Sequence, residues 1–356
     1  MVMFVYAPLV PGIRRQLDAA DAVLTFVDVG ARNGVIELGG FPDRVDAYGF
    51  EPNPAEFEKL VTGNTDAALI GIRPPSYRSL QYFPYAIADR DGQAELFVTV
   101  APAASGLLEP DVDRLREIVW KGKRFRTNFA EEFFVVERKV PVEVRTLASF
   151  AVEAGVDHVD YLKVDVEGSE YEVLEGAGAL LRNTGVVRVE VCFIPFRVGQ
   201  RLFSEVDLLL RDYGFDLLRY EIDPEQVGYK ERESPSVFGP SMGYADRYGQ
   251  PLSADAVYVS RTIDDPVRAL AQAAVLIDKN YLDEALFVLK RRTGIDDPEL
   301  FELLRTYRHV RPHHRALSLG MGAVEALIAL RHPIRSARTR SGWRRIKRAQ
   351  QAKLQR

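Results

Sequence analysis

Cysteine occurs once in 356 residues, as Cys192, so the chain can form neither an intramolecular disulfide nor a zinc cluster built on cysteines. Such usage fits a reducing compartment. No stretch reaches the ~18 consecutive apolar residues that a membrane-spanning helix needs. The N-terminus, Met1 to Ile13, is apolar and uncharged, but Arg14 and Arg15 follow that run, whereas a secretory signal carries its charge in front. We expect residues 1–21 to form a lid or packing arm, and the protein to be cytoplasmic. Repeats are missing as well. "YLDEALFVLK", residues 281–290, resembles half of a tetratricopeptide unit but occurs in one copy, and an array needs about three or more.

Acid is missing from one region only. Residues 331–356 hold ten Lys or Arg and no Asp or Glu, while the first 330 residues hold 37 basic and 51 acidic groups. The overall net charge of −4 therefore describes neither part. The basic tail follows an apolar run, residues 316–330, in which Glu325 is the one charged group, and it carries Trp343 and Ile346 among its arginines. A segment of this kind can lie on an anionic membrane surface, which would make the protein peripheral there. Its charge would also suit RNA phosphates, although nucleic acid is the less expected partner. The plainer reading is a solvated tail attached to a packing helix.

What the chain does have is enough apolar material for a large core: 47% hydrophobic and 10% aromatic residues, which excludes global disorder. Its length suits one domain of roughly 200–250 residues with appendages. From residue 22 to 190, short apolar runs alternate with amphipathic segments, the pattern of β-α units on a mostly parallel sheet. Buried strands are expected at residues 23–29, 45–50, 81–88, 159–165 and 186–191. Residues 94–100 and 134–144 also look extended, the latter as an antiparallel strand. Residues 101–132 interrupt the rhythm as an insertion that becomes a mixed-charge helix. A helix at 202–212 stops at Gly214, residues 220–250 read as a long loop, and 256–260 as a final strand. Beyond Arg261, alanines and leucines at helical spacing predict a helical hairpin over 265–279 and 281–292.

Two motifs carry chemistry. In "FVDVGARNG" a buried strand ends in Asp28, and Gly30 and Gly34 permit a tight turn into a helix, whose N-terminus favours carboxylate or phosphate groups. The spacing is not G-x-G-x-x-G, so a dinucleotide pyrophosphate is disfavoured. Glu51, in "YGFEPNP", lies 21 residues beyond Gly30 at the end of the next strand. An acid placed there can accept hydrogen bonds from both ribose hydroxyls of a nucleoside. In "VDYLKVDVEGSEYEVLEGA", residues 159–177, Asp165, Glu167 and Glu170 surround a strand-to-helix turn with Gly168 at the bend. That is the carboxyl edge of the sheet, where ligands bind. Glu170 has a simpler use in favouring the helix N-terminus, and Lys163 one as an ion-pair partner.

Together, "VDVGARNG", "GFEPNP", "YAIADRDGQAEL" and "DYLKVDVEGSEYEVLEGA" resemble the consecutive signatures of the FkbM-type methyltransferase family, over roughly residues 22–220 and with "YLKVDVEGSE" the most specific. The resemblance implies a Rossmann-like class I α/β fold: a mostly parallel seven-stranded sheet with its last strand antiparallel, and helices on both faces. It also implies S-adenosylmethionine as cofactor and methyl transfer, usually to a hydroxyl oxygen. By that likeness Asp28, Gly30, Ala31 and Gly34 surround the amino-acid end of the cofactor, and Glu51 binds its ribose. The segment 86–89, with Ala88 and Asp89, lies beside the adenine. Ser105, in "ASGLLEP", belongs to a loop similar to one that covers the site in relatives. Arg32 and Asn33 replace the smaller or apolar residues common in the glycine loop, and Ala148 stands where relatives usually carry an acid.

An alcohol needs a general base or a metal ion to become a nucleophile. Asp165 is the first candidate for base or ligand and Glu167 the second. Glu190, in "VVRVEVC", could complete an oxygen site with Asp165 for magnesium. Residues 101–128 and 193–201 would line the acceptor pocket, where Phe193, Phe196 and Arg197 either contact a polar ligand or pack a loop. Weaker motifs lose against these. "RPPSY", residues 73–77, lacks the leading acid or amide of an amino-group DNA methyltransferase. "DVD", residues 111–113, fits the opening of an exposed helix better than a glycosyltransferase metal motif. Pro312 breaks the spacing of His309, His313 and His314.

The expected organisation is thus an arm (1–21), a methyltransferase domain (22–261), a helical hairpin extension (262–330) and a basic tail (331–356). The expected activity is O-methylation of a sugar, glycan or small secondary metabolite. The alternatives are a cofactor-binding scaffold held to a partner through the C-terminal segments and, further off, a sugar-nucleotide glycosyltransferase.

Overall fold

The computed structural model describes residues 9–121, 127–221, 227–229 and 250–309. Helix α1 (Leu9–Ala19) leads into strands β1 (Leu24–Val29) and β2 (Val45–Phe50), helices α2 (Pro54–Thr62) and α3 (Asp66–Leu69), and strands β3 (Ser79–Phe83), β4 (Ala86–Ile87) and β5 (Gly92–Thr99). Next come α4 (Val112–Arg116), β6 (Val119–Lys121), β7 (Thr127–Phe129), α5 (Ala130–Phe133), β8 (Val136–Arg145), α6 (Leu147–Ala154) and β9 (Val159–Val164). The chain continues through α7 (Glu170–Ala177), β10 (Thr184–Cys192), α8 (Phe203–Asp212), β11 (Phe215–Glu221), β12 (Val227–Tyr229), β13 (Gln250–Pro251) and β14 (Ser253–Ser260). Helices α9 (Pro266–Asp278), α10 (Leu282–Arg292) and α11 (Pro298–His309) close it. The chain divides into two compact units, Met1–Phe301 and Glu302–Arg356. Among the described residues no helix is long and apolar enough to cross a membrane.

Seven strands form the central sheet in the order β11-β14-β10-β9-β1-β2-β3. Neighbours pair in parallel except β14, which runs antiparallel to both β10 and β11. This is the Rossmann-like class I arrangement, with its last strand reversed. Strand β1 is buried along its whole length, as a central strand covered on both faces must be. On one face Leu147 and Phe150 of α6, Val173 and Leu174 of α7, and Val206 and Leu210 of α8 pack on Val27, Leu162, Val164 and Val187.

The other face is covered by α9, against which α1 packs. Asp265 caps α9 by accepting from the Arg268 amide at 2.8 Å, and Pro266 suits the first turn because its missing N–H would be unpaired there anyway. Every residue from Ala269 to Ile277 is buried, the behaviour of a helix enclosed on all sides. Fully buried Gln272 donates from Nε2 to the Gly185 and Ser260 carbonyls at 2.8 and 3.0 Å, tying α9 to β10 and β14. Arg268 reaches Asp160 at 3.0 Å. Ile13 and Leu17 of α1 are fully enclosed too, so the described part of the N-terminal segment packs as a helix. The hairpin α9–α10 belongs to the first compact unit along with the sheet.

Four expectations are corrected. Residues 81–88 are two strands: the ladder breaks at Pro84, which has no N–H to donate, and β4 joins β5 and β8 in a separate three-stranded sheet. In that sheet β8 runs antiparallel to β5, as its alternation predicts. The insertion at 101–132 is not a mixed-charge helix. Among its described residues the longest helix is the five-residue α4, and β6 and β7 form an antiparallel pair that β12, bonded to β6, and then β13 extend into a four-stranded sheet. Those partners lie more than a hundred residues away, and strand formation depends on such neighbours rather than on local propensity. The presumed loop at 220–250 accordingly contains β12, and Tyr220 belongs to the unexpected edge strand β11. Residues 222–226, 230–249 and 310–356, and with them His313, His314 and the basic tail, lie outside the described residues.

Leu270, Val275, Leu276 and Ile277 are at most 2% exposed, and burying each contributes about 1.5–3 kcal/mol. Their sum is comparable with the roughly 5–15 kcal/mol by which a whole domain is stable. A chain ended after Arg261 should therefore lose its cooperative thermal transition. One ended after His309 should keep it, as followed by circular dichroism.

Candidate active site

A cavity of about 370 Å³ opens at the carboxyl ends of β1, β2, β9 and β10, where an open α/β sheet binds its ligands. It is lined by Asp28, Gly30, Ala31, Gly34, Glu51, Asp165 and Glu167. All but Ala31 stand out in the sequence at a strand end or in the turn that follows it, and Ala31 enters through the family resemblance alone. Glu190, two residues beyond Arg188 on β10, stands beside them. Among the described residues, Asp165, Glu167 and Glu190 each offer a carboxylate oxygen, all within 4.8 Å of one another.

The turn after β1 is built by close approach. Gly30 has φ +97°, and a β-carbon there would lie 1.8 Å from the Asp165 carbonyl oxygen; the Asp165 amide in turn donates to the Val29 carbonyl at 2.9 Å. No helix follows, contrary to expectation. Residues 31–41 are irregular, with left-handed backbone at Gly34 and Leu38. The loop's polar groups are met from elsewhere: Tyr77 Oη donates to the Glu37 carbonyl, and the Gly40 amide donates to Asp278 at 2.9 Å. Arg32 and Asn33, the departures from the family pattern, brace the loop on the next connection. Arg32 pairs with Glu56 and Asp66 at 3.3 and 2.7 Å, and the Asn33 side chain accepts from the Ala67 amide at 3.3 Å.

Glu51 leaves β2 and is 7% exposed. Its Oε1 accepts from the Asn53 amide at 2.8 Å, while Asn53 caps α2 by accepting from Ala55. "EPNP" thus fixes the acid and starts the helix with one turn. Burial pushes the Glu51 carboxyl up to about 7, with the Asn53 N–H opposing.

Across the sheet, Asp28, Lys163 and Arg188 stand in register on β1, β9 and β10 and so share one face. Lys163 Nζ is 3.1 Å from Asp28 and 3.4 Å from Asp165. Burial raises Asp28 to about 6 against the pull of Lys163. Burial would lower Lys163, but Asp28 and Asp165 hold it above its ordinary value. Arg188 bridges Glu37 at 2.6 Å and Asp255 at 2.7 Å. Glu37 also accepts from Tyr161 Oη at 2.6 Å and from Lys279. Burial alone would raise Glu37; Lys279 and Arg188 outweigh it and bring the carboxyl down to about 2.

The second acidic turn separates its members. Glu170 accepts from the Val166 and Gly168 amides at 3.1 and 2.9 Å, so it closes the turn and serves structure. Glu167, at φ +62°, keeps a third of its side chain exposed and lies 3.6 Å from Arg197. Burial raises its carboxyl above the usual range, and Arg197 opposes. Burial, then Glu167 and Asp165, raise Glu190 well above the ordinary carboxylate value. Arg197 is 1% exposed and donates to the Leu108 and Ala104 carbonyls at 3.1 and 2.6 Å. It therefore packs the loop over the site rather than clamping a ligand. That loop brings Pro102, Ser105 and Leu107 to the cavity, with Ser105 Oγ accepting from the Thr99 amide.

Ala88 and Asp89 are not brought to the lining; Ala86 and Ile87 are. The Ala88 amide donates to the Arg145 carbonyl at 2.8 Å, and Asp89 pairs with Arg90 at 3.1 Å. Ala148 lies on α6, outside the lining. Glu37, Arg188, Asn53 and Lys279 were missed. Asn53 could have been found as a helix cap ahead of Pro54, but for the other three the sequence carries no local signal.

The methyltransferase FkbM domain family matches residues 28–217. A fungal relative from Sordaria araneosa, methyltransferase sdnD, is 32% identical over 210 residues, covering 54% of this chain and 74% of the relative. Among solved structures, the magnesium protoporphyrin IX methyltransferase of Synechocystis with bound S-adenosylmethionine is 12% identical, covering 73% of this chain and 85% of its own, at a TM-score of 0.27. The methyltransferase domain of a bacterial Hen1 is 11% identical, covering 72% and 98%, at 0.28. Overlaps that slight carry no weight for function.

Gly30→Ala should cost about 3 kcal/mol or more in a denaturant melt, because it combines a backbone clash with an unfavourable φ. Gly155→Ala is the contrast. At φ +66° its new methyl would meet open space, and the cost should stay near 1 kcal/mol.

Proposed function

The chain belongs to the FkbM methyltransferase family, and we propose that it transfers the methyl group of S-adenosylmethionine to a hydroxyl oxygen of a sugar, glycan or other small metabolite. The observation that carries this reading is one cavity that joins the Gly30 turn, the Glu51 carboxylate and the Asp165–Glu167 pair. Its lining suits such a cofactor. Glu51 has one oxygen engaged by Asn53 and its side chain at the cavity, an acceptor for a ribose diol. Phe50, Ala86 and Ile87 offer apolar walls for a base. Asp28, with Lys163 beside it, suits the charged amino-acid end.

When bound, the cofactor supplies a methyl group already activated on sulfur. What remains for the chain is to hold the acceptor in line and to take its proton. Asp165, whose side chain is 40% exposed at the cavity, is placed to accept that proton, with Glu167 second. Asp165, Glu167 and Glu190 present hard oxygen donors and would hold a divalent cation such as magnesium, which would make the acceptor hydroxyl more acidic. The apolar loop residues Pro102 and Leu107 would face the body of the acceptor.

Asp165→Asn should leave S-adenosylmethionine binding intact in calorimetry and lower turnover about 100-fold or more. Full activity would remove it as base or ligand. Chelation by EDTA, followed by restoration with magnesium, decides the metal reading; activity untouched by EDTA would dismiss it.

Glu51 generates a pH test. Its carboxyl holds a proton up to about pH 7, and the charged form is the better acceptor for the ribose hydroxyls. Binding then requires loss of that proton, so cofactor affinity should fall about tenfold between pH 8 and pH 6 by linkage. In Glu51→Gln the pH dependence should vanish and the affinity be low throughout.

A further inference from the structure

The wall of the cavity after Gly30 has no regular structure of its own, and the described contacts that hold it come largely from far along the chain. Glu37 lines the cavity and takes donors from three elements: Tyr161 on β9, Arg188 on β10 and Lys279 at the end of α9. Three residues on, the Gly40 amide is held by Asp278, the last residue of the same helix. Lys279 Nζ also sits 5.1 Å from the Tyr161 ring centre, a favourable place for a cation. Between the two anchors Leu38 adopts φ +54°, a conformation a leucine keeps only when its surroundings impose it.

We propose that Asp278 and Lys279 are positioning residues of the cofactor site: the C-terminal hairpin clamps Glu37 and Gly40 and thereby shapes the wall against which the cofactor lies. This rests on reading the cavity as the S-adenosylmethionine site. The clamp reaches the cavity floor as well. Arg188 is bound on one side by Asp255 and on the other by Glu37, so the guanidinium keeps its place only while Glu37 keeps its own. Without Lys279 the carboxylate loses a charged donor, and the loop loses a tether that spans 242 residues of sequence. The hairpin, which the family match does not include, then becomes part of the binding machinery.

The test uses the full chain and S-adenosylhomocysteine as the calorimetric probe. Lys279→Met is expected to weaken binding about tenfold, the worth of one charge-assisted hydrogen bond. It should raise KM for S-adenosylmethionine with little change in kcat and speed amide exchange in residues 31–41 while β9 and β10 stay protected. Lys279→Arg should recover most of the affinity, which a purely steric role would not. Asp278→Ala, which removes the Gly40 acceptor, should show the same pattern and serves if Lys279→Met does not fold. Wild-type binding left unchanged by both variants, with exchange in 31–41 unaltered, overturns the positioning role alone. A folded wild-type protein that does not bind S-adenosylhomocysteine overturns the cofactor reading and this role with it.

Discussion

A charge buried on a sheet must meet its opposite, and most of this site follows from that requirement. Asp28, Lys163 and Arg188 stand side by side on three central strands, where water cannot solvate them fully. An unpaired ion in such surroundings would cost several kcal/mol even after relaxation. The row alone holds one acid and two bases, so it needs acids from outside. Asp165 and Asp255 supply two from neighbouring strand positions, and Glu37 supplies the third by folding an irregular loop back over the row. Lys279 then joins Arg188 at Glu37, which draws the C-terminal hairpin into the same structure. The loop after β1 is thus organised by pairing across the fold instead of by helical hydrogen bonds.

At the outer rim the balance reverses. Asp165, Glu167 and Glu190 converge with Lys163 and buried Arg197 as the nearby cations. Burial and mutual repulsion make Glu167 and Glu190 hold protons more tightly than ordinary carboxylates. A cavity whose floor is ion-paired and whose rim has surplus acid is suited to accept positive charge or a proton there. Arg197 contributes differently. With its guanidinium on the carbonyls of Ala104 and Leu108, it ties the covering loop to the acidic turn, so the loop's position and the state of Glu167 are coupled through one side chain.

Much of the site was legible because its parts are local. A buried run that ends in an acid and then glycine announces a strand end and a tight turn, which is how Asp28, Gly30 and Asp165 were found. Glu51 was legible from its place on the following strand, and Glu170 as a turn acid was recognisable from its helix start. Failures occurred wherever the outcome depended on a distant partner. Strand β4 left the main sheet to pair with β8, and the β6–β7 pair is completed by β12, which lies beside β6 from more than a hundred residues on. The expected helix after Gly30 did not form, since Tyr77 and Asp278 satisfy that loop's backbone from outside.

The sequence by itself therefore determined the buried strands β1, β2, β9, β10 and β14, the order of the strand-end motifs and the acids at the carboxyl edge, because side-chain period and turn chemistry act over a few residues. Only the tertiary structure decided that Glu37 and Arg188 belong to the cavity, that Arg197 is a strut, and that α9 covers one face of the sheet. Those roles rest on partners 89 to 242 residues apart. An ion pair forms where strand order brings two groups within a few ångströms, and no local pattern encodes that distance.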